Sequence, residues 1–444
     1  MQSQRHPAQR RLHRSAARIA LDAPASRGLM ARVPADPPSA PAGPRPALVI
    51  TALVLVALNL RSVITSVGPV SDELRADLGI SRALAGLVSS VPVLCMGVFA
   101  PLAGAVGARL GVERTVAACL ALIGLATALR LAQLGIAALL ATAVAAGIGI
   151  AVSKPVIAAF IKQRFPTRAA PIMGLFTMGL TLGAALAAGA SAPLRALSGS
   201  WRVALGSWAV LAVVALVAWG LVTADARTQA PRVASARLPW GRARAWLLVA
   251  YFGLQSSLYY AIMAWLAPRY TELGVDEQRA GVLVTLVGLT QIGASVGVPM
   301  LAARSLDRRP WLVLSALMEA AGLGGVACAP LAAPWIWAVL LGLGTGGLFA
   351  LALTLPLDDA DSPQEAGALT AMMFCGGYLI AGSGPFVIGA VRDASGSYRG
   401  AFTWLMGVSA VVALLALGLG PRRRAVAASA AVLGGSSASS TTGT

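Results

Sequence analysis

Past residue 46 the chain alternates between apolar runs of about 20 residues and short polar breaks, a length that matches one crossing of a hydrocarbon core about 30 Å thick. Twelve such runs fall at 47–69, 83–105, 114–132, 136–160, 169–193, 201–223, 245–267, 280–303, 311–330, 334–357, 367–391 and 400–419. The pattern predicts an all-α integral membrane protein with 12 transmembrane helices. The third and fourth runs are separated by only a few residues, so the break between them is the weakest polar signal. The Arg- and Pro-rich stretch 224–244 is the longest polar interruption and divides the runs six and six. The expected organisation is a six-helix bundle over 47–223, a linker over 224–244 and a second six-helix bundle over 245–420. Residues 1–46 are rich in Arg, Pro and Ala, and residues 421–444 in Ala, Ser, Gly and Thr, so both ends are expected to be disordered tails. Met30 is a second candidate start. No cleavage site follows the first run, which is of full spanning length, so no signal peptide is expected.

Composition agrees with the pattern. The chain is 57% hydrophobic and 12% charged, about half the charged fraction of a soluble protein. Cys95, Cys119, Cys328 and Cys375 all sit in apolar runs without metal-ligand spacing, and read as packing residues. Lys and Arg total 35 against 17 acids. A net charge of +18 would suit a nucleic acid, but the placement of the charges excludes that partner. Arg61 and Lys154 lie deep inside their runs; of the rest, 24 fall at or beyond run ends on the side of the N-terminus and nine on the other. Leaving out the N-terminal tail, the bias is still 16 to nine. The positive-inside rule then places both termini in the cytoplasm.

The two halves repeat. Pro69, Glu73 and Leu74 after the first run match Pro268, Glu272 and Leu273 after the seventh. Gly79-Ile80 then matches Gly274-Val275, and Ala85-Gly86 matches Ala280-Gly281 at equal spacing. Pro166 precedes Gly179 by the same interval as Pro363 precedes Gly376. Parallel six-span repeats with a site between them near the midplane are the architecture of the major facilitator superfamily, which the chain resembles. Further strings resemble one branch of it, the cyanate transporter and 2-nitroimidazole transporter family. They are Asn59-Leu60-Arg61 with Ile64 to Pro69, Pro92 to Cys95, Ile161 to Pro166, Tyr251 to Ser257 with Tyr259-Tyr260, Gly342 to Gly347, and Gly377 to Ala381 with Gly384-Pro385. Three positions depart from that family. Ser153-Lys154-Pro155 stands where an Asn before the Pro is usual, Asp358, Asp359 and Asp361 stand where an Arg is common, and Phe374 stands where a Gln is frequent.

Arg61 is the candidate with the most chemistry. It is the only ionisable residue between Ala47 and Val70, and a guanidinium near the bilayer centre costs about 2.5–3.5 kcal/mol on insertion scales. It lies about 14 residues into its run from the cytoplasmic side, or about 21 Å, past the midplane and too deep to snorkel back to that side. Its planar fork suits a carboxylate or small linear anion, against the alternative of bonding to the backbone of a neighbouring helix. Thr65, one turn on, shares its face; Asn59 is rotated about 200° away and is expected to bond to an adjacent helix. Lys154 lies about 9 Å from the cytoplasmic end of the fourth run, offset from Arg61 by about 10 Å along the membrane normal. It is read either as a snorkelling lysine or as a cytoplasmic-side gate or relay, and one small anion is not expected to bridge both cations. In the seventh run Gln255 and Tyr259 share one face, and Ser256 and Tyr260 the next, so this stripe is expected to face Arg61 across a cavity. The alternative is bonding between helices. Glu319 is the one acid inside a run and is expected to be a structural carboxyl more than a proton carrier.

Two loops resemble the superfamily's cytoplasmic gate. Arg109 and Arg114 belong to the first, which lacks the usual Asp; Asp307 and Arg308 belong to the second. These charges are expected to pair between helices. The fifth run has no Gly-Pro-x-x-Gly-Gly string of the antiporters, and its glycines read as packing positions. The only histidines, His6 and His13, lie in the tail, so no catalytic or metal constellation exists and no enzyme or cofactor is expected. The expected protein is a monomeric secondary transporter of the bacterial inner membrane. Its partners are the bilayer, a small-molecule solute and a coupling proton or counter-ion. The leading cargo is a small anion such as cyanate; the alternatives are efflux of neutral nitroheteroaromatic compounds, or a sensor or scaffold that no longer transports.

Overall fold

The computed structural model describes residues 46–132, 135–165, 168–223, 238–302, 304–305 and 307–420; for residues 162, 169, 170, 363 and 364 only the backbone is described. The expected tails at 1–45 and 421–444, most of the linker, His6, His13 and Pro166 lie outside these residues. Twelve helices are long and apolar enough to span a membrane. Their main α-helical segments are α1 Pro46–Thr65, α2 Arg82–Phe99, α3 Val112–Ala128, α4 Ile136–Arg164, α5 Ala169–Ser198, α6 Ala209–Thr223, α7 Ala243–Glu272, α8 Glu277–Ala302, α9 Arg309–Cys328, α10 Pro334–Ala352, α11 Pro363–Ser395 and α12 Tyr398–Leu417. No strand occurs among the described residues. Twelve crossings return the chain to the end where it began. This is called the near end below, and the opposite one the far end.

Local chemistry sets the helix ends. Ser81 caps α2, accepting from the Leu84 N–H at 3.2 Å. Ser362 caps α11 through the Glu365 N–H, while the Glu365 carboxylate accepts from the N–H of Asp361, one residue before the N-cap, at 2.9 Å. The repeated Gly-Ile and Gly-Val pairs are turns at the far end: Gly79 and Gly274 have φ of 63° and 80°, the left-handed region that favours glycine. The last turn of α1 loosens ahead of Pro69, and Arg130 donates to the Val63 carbonyl there at 3.1 Å. Arg130 and Arg269, counted from sequence among the far-end loop charges, are instead 1% and 6% exposed. Each bonds to a backbone carbonyl of a neighbouring helix. That is a correction: short helix connections draw these side chains into the protein.

Within the first six spans α1 packs on α5 and α6, and α4 on α2 and α3; within the last six α7 packs on α11 and α12, and α10 on α8 and α9. Between the two sets, α2 packs along α11 and α5 along α8. The sequence repeat marks these contacts. Gly86 and Gly281 are equivalent positions, and a Cβ on the first would meet the Pro385 backbone at 2.8 Å, on the second the Gly189 carbonyl at 3.3 Å. Likewise Gly179 meets Ala57 of α1, and Gly376 meets Val249 of α7. Small residues let these backbones approach where lipid offers no hydrophobic drive. The apolar core of α7 is 83% buried against 33% for α6 and α12. So α7 is central, and Val210, Val217, Leu221, Val411 and Leu414 on the outer two face outwards.

Candidate functional site

The central helix brings four polar side chains to one cavity. Gln255, Ser256, Tyr259 and Tyr260 of α7 line it, together with Arg61 of α1, Gln291 of α8, Phe349 of α10 and Tyr378 of α11. It is narrow, with room for about one water-sized group among these side chains. Thus the expectation that the α7 stripe faces Arg61 agrees with the geometry. Gln291, Phe349 and Tyr378 were not singled out as site residues from sequence. Gln291 carried a usable signal, an amide in the middle of an apolar span; Phe349 carried none, because an aromatic in an apolar helix is ordinary.

Arg61 is 4% exposed. Its guanidinium carbon lies 4.9 Å from the Tyr259 ring centroid, 5.6 Å from Phe349 and 6.0 Å from Tyr260. These are cation–π distances, each worth about 0.5–2 kcal/mol depending on solvent exclusion. Arg61 Nε and the hydroxyls of Tyr259 and Tyr260 are buried without a hydrogen-bond partner. Among the described residues no carboxylate pairs with Arg61. Gln255 spends its amide nitrogen on the Phe252 carbonyl at 3.2 Å and the Ser256 hydroxyl at 2.6 Å, which leaves Oε1 as its free acceptor. Gln291 Oε1 is buried with no partner.

Lys154 belongs with this cluster. Its ammonium sits 5.4 Å from the Tyr378 ring centroid, so α4 directs it across to α11 and not back to the near surface. The snorkelling alternative is therefore set aside. Arg61 lies against Tyr259, Tyr260 and Phe349 and Lys154 against Tyr378, so the two cations contact different rings. Behind Tyr378 lies an aromatic layer: Phe374 stacks on it at 5.8 Å, and Phe252 meets both rings at 5.1 and 5.3 Å. The departure at Phe374 thus supports Tyr378 by packing.

Other expected positions fall elsewhere. Thr65 is not in the cavity: its hydroxyl donates to the Ala184 carbonyl of α5 at 2.9 Å and lies 3.2 Å from the Arg61 carbonyl. Sharing a helix face with Arg61 was not enough, because α5 closes over that face one turn on. Asn59 is fully buried but neither side-chain atom has a partner, so the expected interhelical bond is not made. Glu319 is fully buried and accepts from Ser409 of α12 at 3.2 Å, away from the cavity.

The gate charges behave unequally. Arg308 pairs with Asp358 at the end of span ten, as expected for an interhelical link. Asp307 pairs only with Arg309, two residues on, and that guanidinium holds its carboxyl below the usual range. Arg109 and Arg114 are exposed, and no ion pair engages either among the described residues; the expected pairing of these two is not made. The loop lacks its Asp, and Glu113 beside Arg114 forms no ion pair with either among the described residues. The unusual acids after α10 are explained: Asp359 takes a two-point contact from Arg244 at 2.7 and 3.0 Å, beside Asp358 on Arg308. Ion pairs between the two sets of six spans occur at the far end. Arg195 of α5 holds Glu73 at 3.2 Å and also Glu277 of α8, and Arg82 of α2 lies 3.8 Å from Asp393 of α11.

Comparison with known proteins agrees with this architecture. Residues 49–385 match the family model described as Major Facilitator Superfamily. The chain is 35% identical to the cyanate transport protein CynX of Escherichia coli (strain K12), over 83% of this chain and 95% of that one. It is 31% identical to the 2-nitroimidazole transporter of the same organism, over 83% and 94%. It is also 33% identical to the uncharacterized transporter YycB of Bacillus subtilis (strain 168), over 84% and 93%. Among solved structures, a D-xylose-proton symporter aligns with a TM-score of 0.67 at 16% identity, covering 84% of this chain and 97% of that one. The nucleoside transporter NupG aligns with a TM-score of 0.64 at 15%, covering 84% and 98%. At that identity the two structures speak to the fold alone. Twelve spanning helices, a polar cavity on the central helix and these relatives together place the chain in the Major Facilitator Superfamily, in the branch of the cyanate and 2-nitroimidazole transporters.

Proposed function

We propose that this secondary transporter carries a small linear or planar monoanion, of which cyanate is the type, with Arg61 as its counter-charge. The observation that carries the reading is a buried guanidinium, faced by rings and amides, with no acid beside it among the described residues. Such a site attracts an anion and gives a cation nothing to hold. The cavity is small, and the CynX relative is named for cyanate. Lys154 adds a second positive charge beside Tyr378 and guides the anion from the near end. We take the two sets of six spans, 47–223 and 245–420, as the bodies that rock about this site. The far-end pairs of Arg195 and Arg82 then act as the gate closed in this state. The excess of arginine at the near end makes that end cytoplasmic in a bacterial inner membrane. The chain works as a monomer, without a catalytic step.

A second reading has its own support. Tyr259, Tyr260, Phe349 and Tyr378 provide flat faces for a heteroaromatic ring, and the 2-nitroimidazole transporter is a relative. Flux into proteoliposomes separates the two readings. Wild type is expected to move cyanate faster than a nitroimidazole, and Arg61→Gln to lose at least about tenfold of the cyanate flux. If a folded Arg61→Gln protein carries cyanate as fast as wild type, the anion reading fails. If only the nitroimidazole moves, and moves without Arg61, the second reading replaces it.

A further inference from the structure

Charge balance in the cavity constrains the transport cycle. Arg61 is buried, and the Lys154 ammonium lies 5.4 Å from the centroid of Tyr378, a ring that lines the same cavity. Most acids that the described helices bring near the ends are held by arginines, and Glu113 and Asp276, which form no ion pair among the described residues, lie outside the cavity lining. Glu73 and Glu277 are held by Arg195, Glu272 by Arg269 and Arg392, and Asp393 by Arg82 at the far end. Asp358 and Asp359 are held by Arg308 and Arg244 at the near end. Glu319 is enclosed between α9 and α12 and bonded to Ser409. The groups facing Arg61 from α7, α8, α10 and α11 are the neutral Gln255, Ser256, Tyr259, Tyr260, Gln291, Phe349 and Tyr378.

A guanidinium does not shed its proton in a protein. To pass from one face to the other the site must become closed at both ends, and there an empty cavity holds a positive charge that no described acid balances. An unpaired buried ion costs several kcal/mol even after relaxation, and cation–π contacts recover only part of that. A bound monoanion pairs the charge and removes the penalty. The loaded protein therefore changes face more readily than the empty one.

We propose that this transporter is an obligate anion exchanger: each anion carried one way is followed by an anion carried back, because return of the empty site is slow. The inference rests on the anion reading above and adds the mode of the cycle to it. The test measures initial uptake of carbon-14 cyanate into proteoliposomes of the full chain. Potassium and valinomycin hold the membrane potential at zero, and protein-free vesicles are subtracted. Vesicles filled with unlabelled cyanate are expected to take up label at least about tenfold faster than vesicles filled with sulfate. Equal rates in the two overturn exchange while leaving the anion reading intact. So does an inward proton gradient that drives cyanate into sulfate-filled vesicles as fast as internal cyanate does. No cyanate movement under any condition removes the anion reading and exchange with it. A second protein, Gln291→Glu, tests the cause by placing an acid on the cavity wall. Its ratio of rates between the two vesicle types is expected to fall toward one whatever its absolute flux. An unchanged ratio overturns the charge-balance argument.

Discussion

At the scale of single residues, the site separates side chains that touch the cavity from those that merely share a helix with it. Thr65 makes the contrast with Arg61 sharp, since one turn of α1 moves the side chain from the cavity to the backbone of α5. Thr65→Val is therefore expected to leave the apparent KM for cyanate unchanged. It should cost about 1 kcal/mol of stability, the net worth of an ordinary hydrogen bond. Thermal unfolding in detergent, alongside flux, checks both; a KM rise would return Thr65 to the site. Glu319→Gln keeps an acceptor for Ser409 and removes the ionisable group. Its flux is expected to stay within about twofold of wild type, with an unchanged response to external pH. Asp307 shows the sign of a surface linkage. Arg309 depresses its pKa, so the pair stabilises above the ordinary carboxylate range and that contribution fades as pH falls through the depressed value. The pair is exposed, so its contribution to stability is small. Asp307→Asn should then leave flux between pH 5 and 8 unaltered.

At the scale of helices, the glycines decide how closely the two sets of spans approach. Gly86 admits the Pro385 backbone of α11, and nothing larger than hydrogen fits there. Gly86→Val forces α2 and α11 apart, at a cost of about 1–3 kcal/mol for overpacking. The lower thermal midpoint is expected together with a loss of flux, because the same contact lies beside the far-end pair of Arg82 with Asp393. This pattern was legible in part. The repeat of Ala-Gly at equal spacing marked Gly86 and Gly281 as equivalent, and both turn out to sit between the two sets. What the repeat did not carry was the partner of each, since close approach is a property of two helices and only one is written in the motif. The helix bounds were legible to within a few residues, as an apolar run long enough to span has few alternatives in lipid.

At the scale of the whole molecule, Arg195 joins the two sets by holding Glu73 and Glu277 together at the far end. Exposed pairs contribute about 0–1 kcal/mol each, so Arg195→Gln shifts the balance between conformations modestly. The expected result is up to about tenfold faster thiol labelling of a single cysteine placed at Gln255 from the far side. Labelling from the near side should slow in parallel. Equal labelling in the two proteins would show that Arg195 has no part in closure.

Sequence by itself determined the class of protein, the number of crossings, the repeat and the one arginine whose depth needs an explanation. These follow from the cost of exposing backbone and charge to hydrocarbon, which each segment meets alone and so records locally. Tertiary structure decided the rest. It brought Gln291, Phe349 and Tyr378 to Arg61 from three helices distant in the chain, turned Lys154 inward, and gave Thr65 to α5. It also showed that no described acid lines the cavity of Arg61, that Glu73, Asp358 and Asp359 are held by other arginines, and that Glu319 is bonded to Ser409. Pairing across space depends on how helices lie against each other, and no spacing within one helix specifies that.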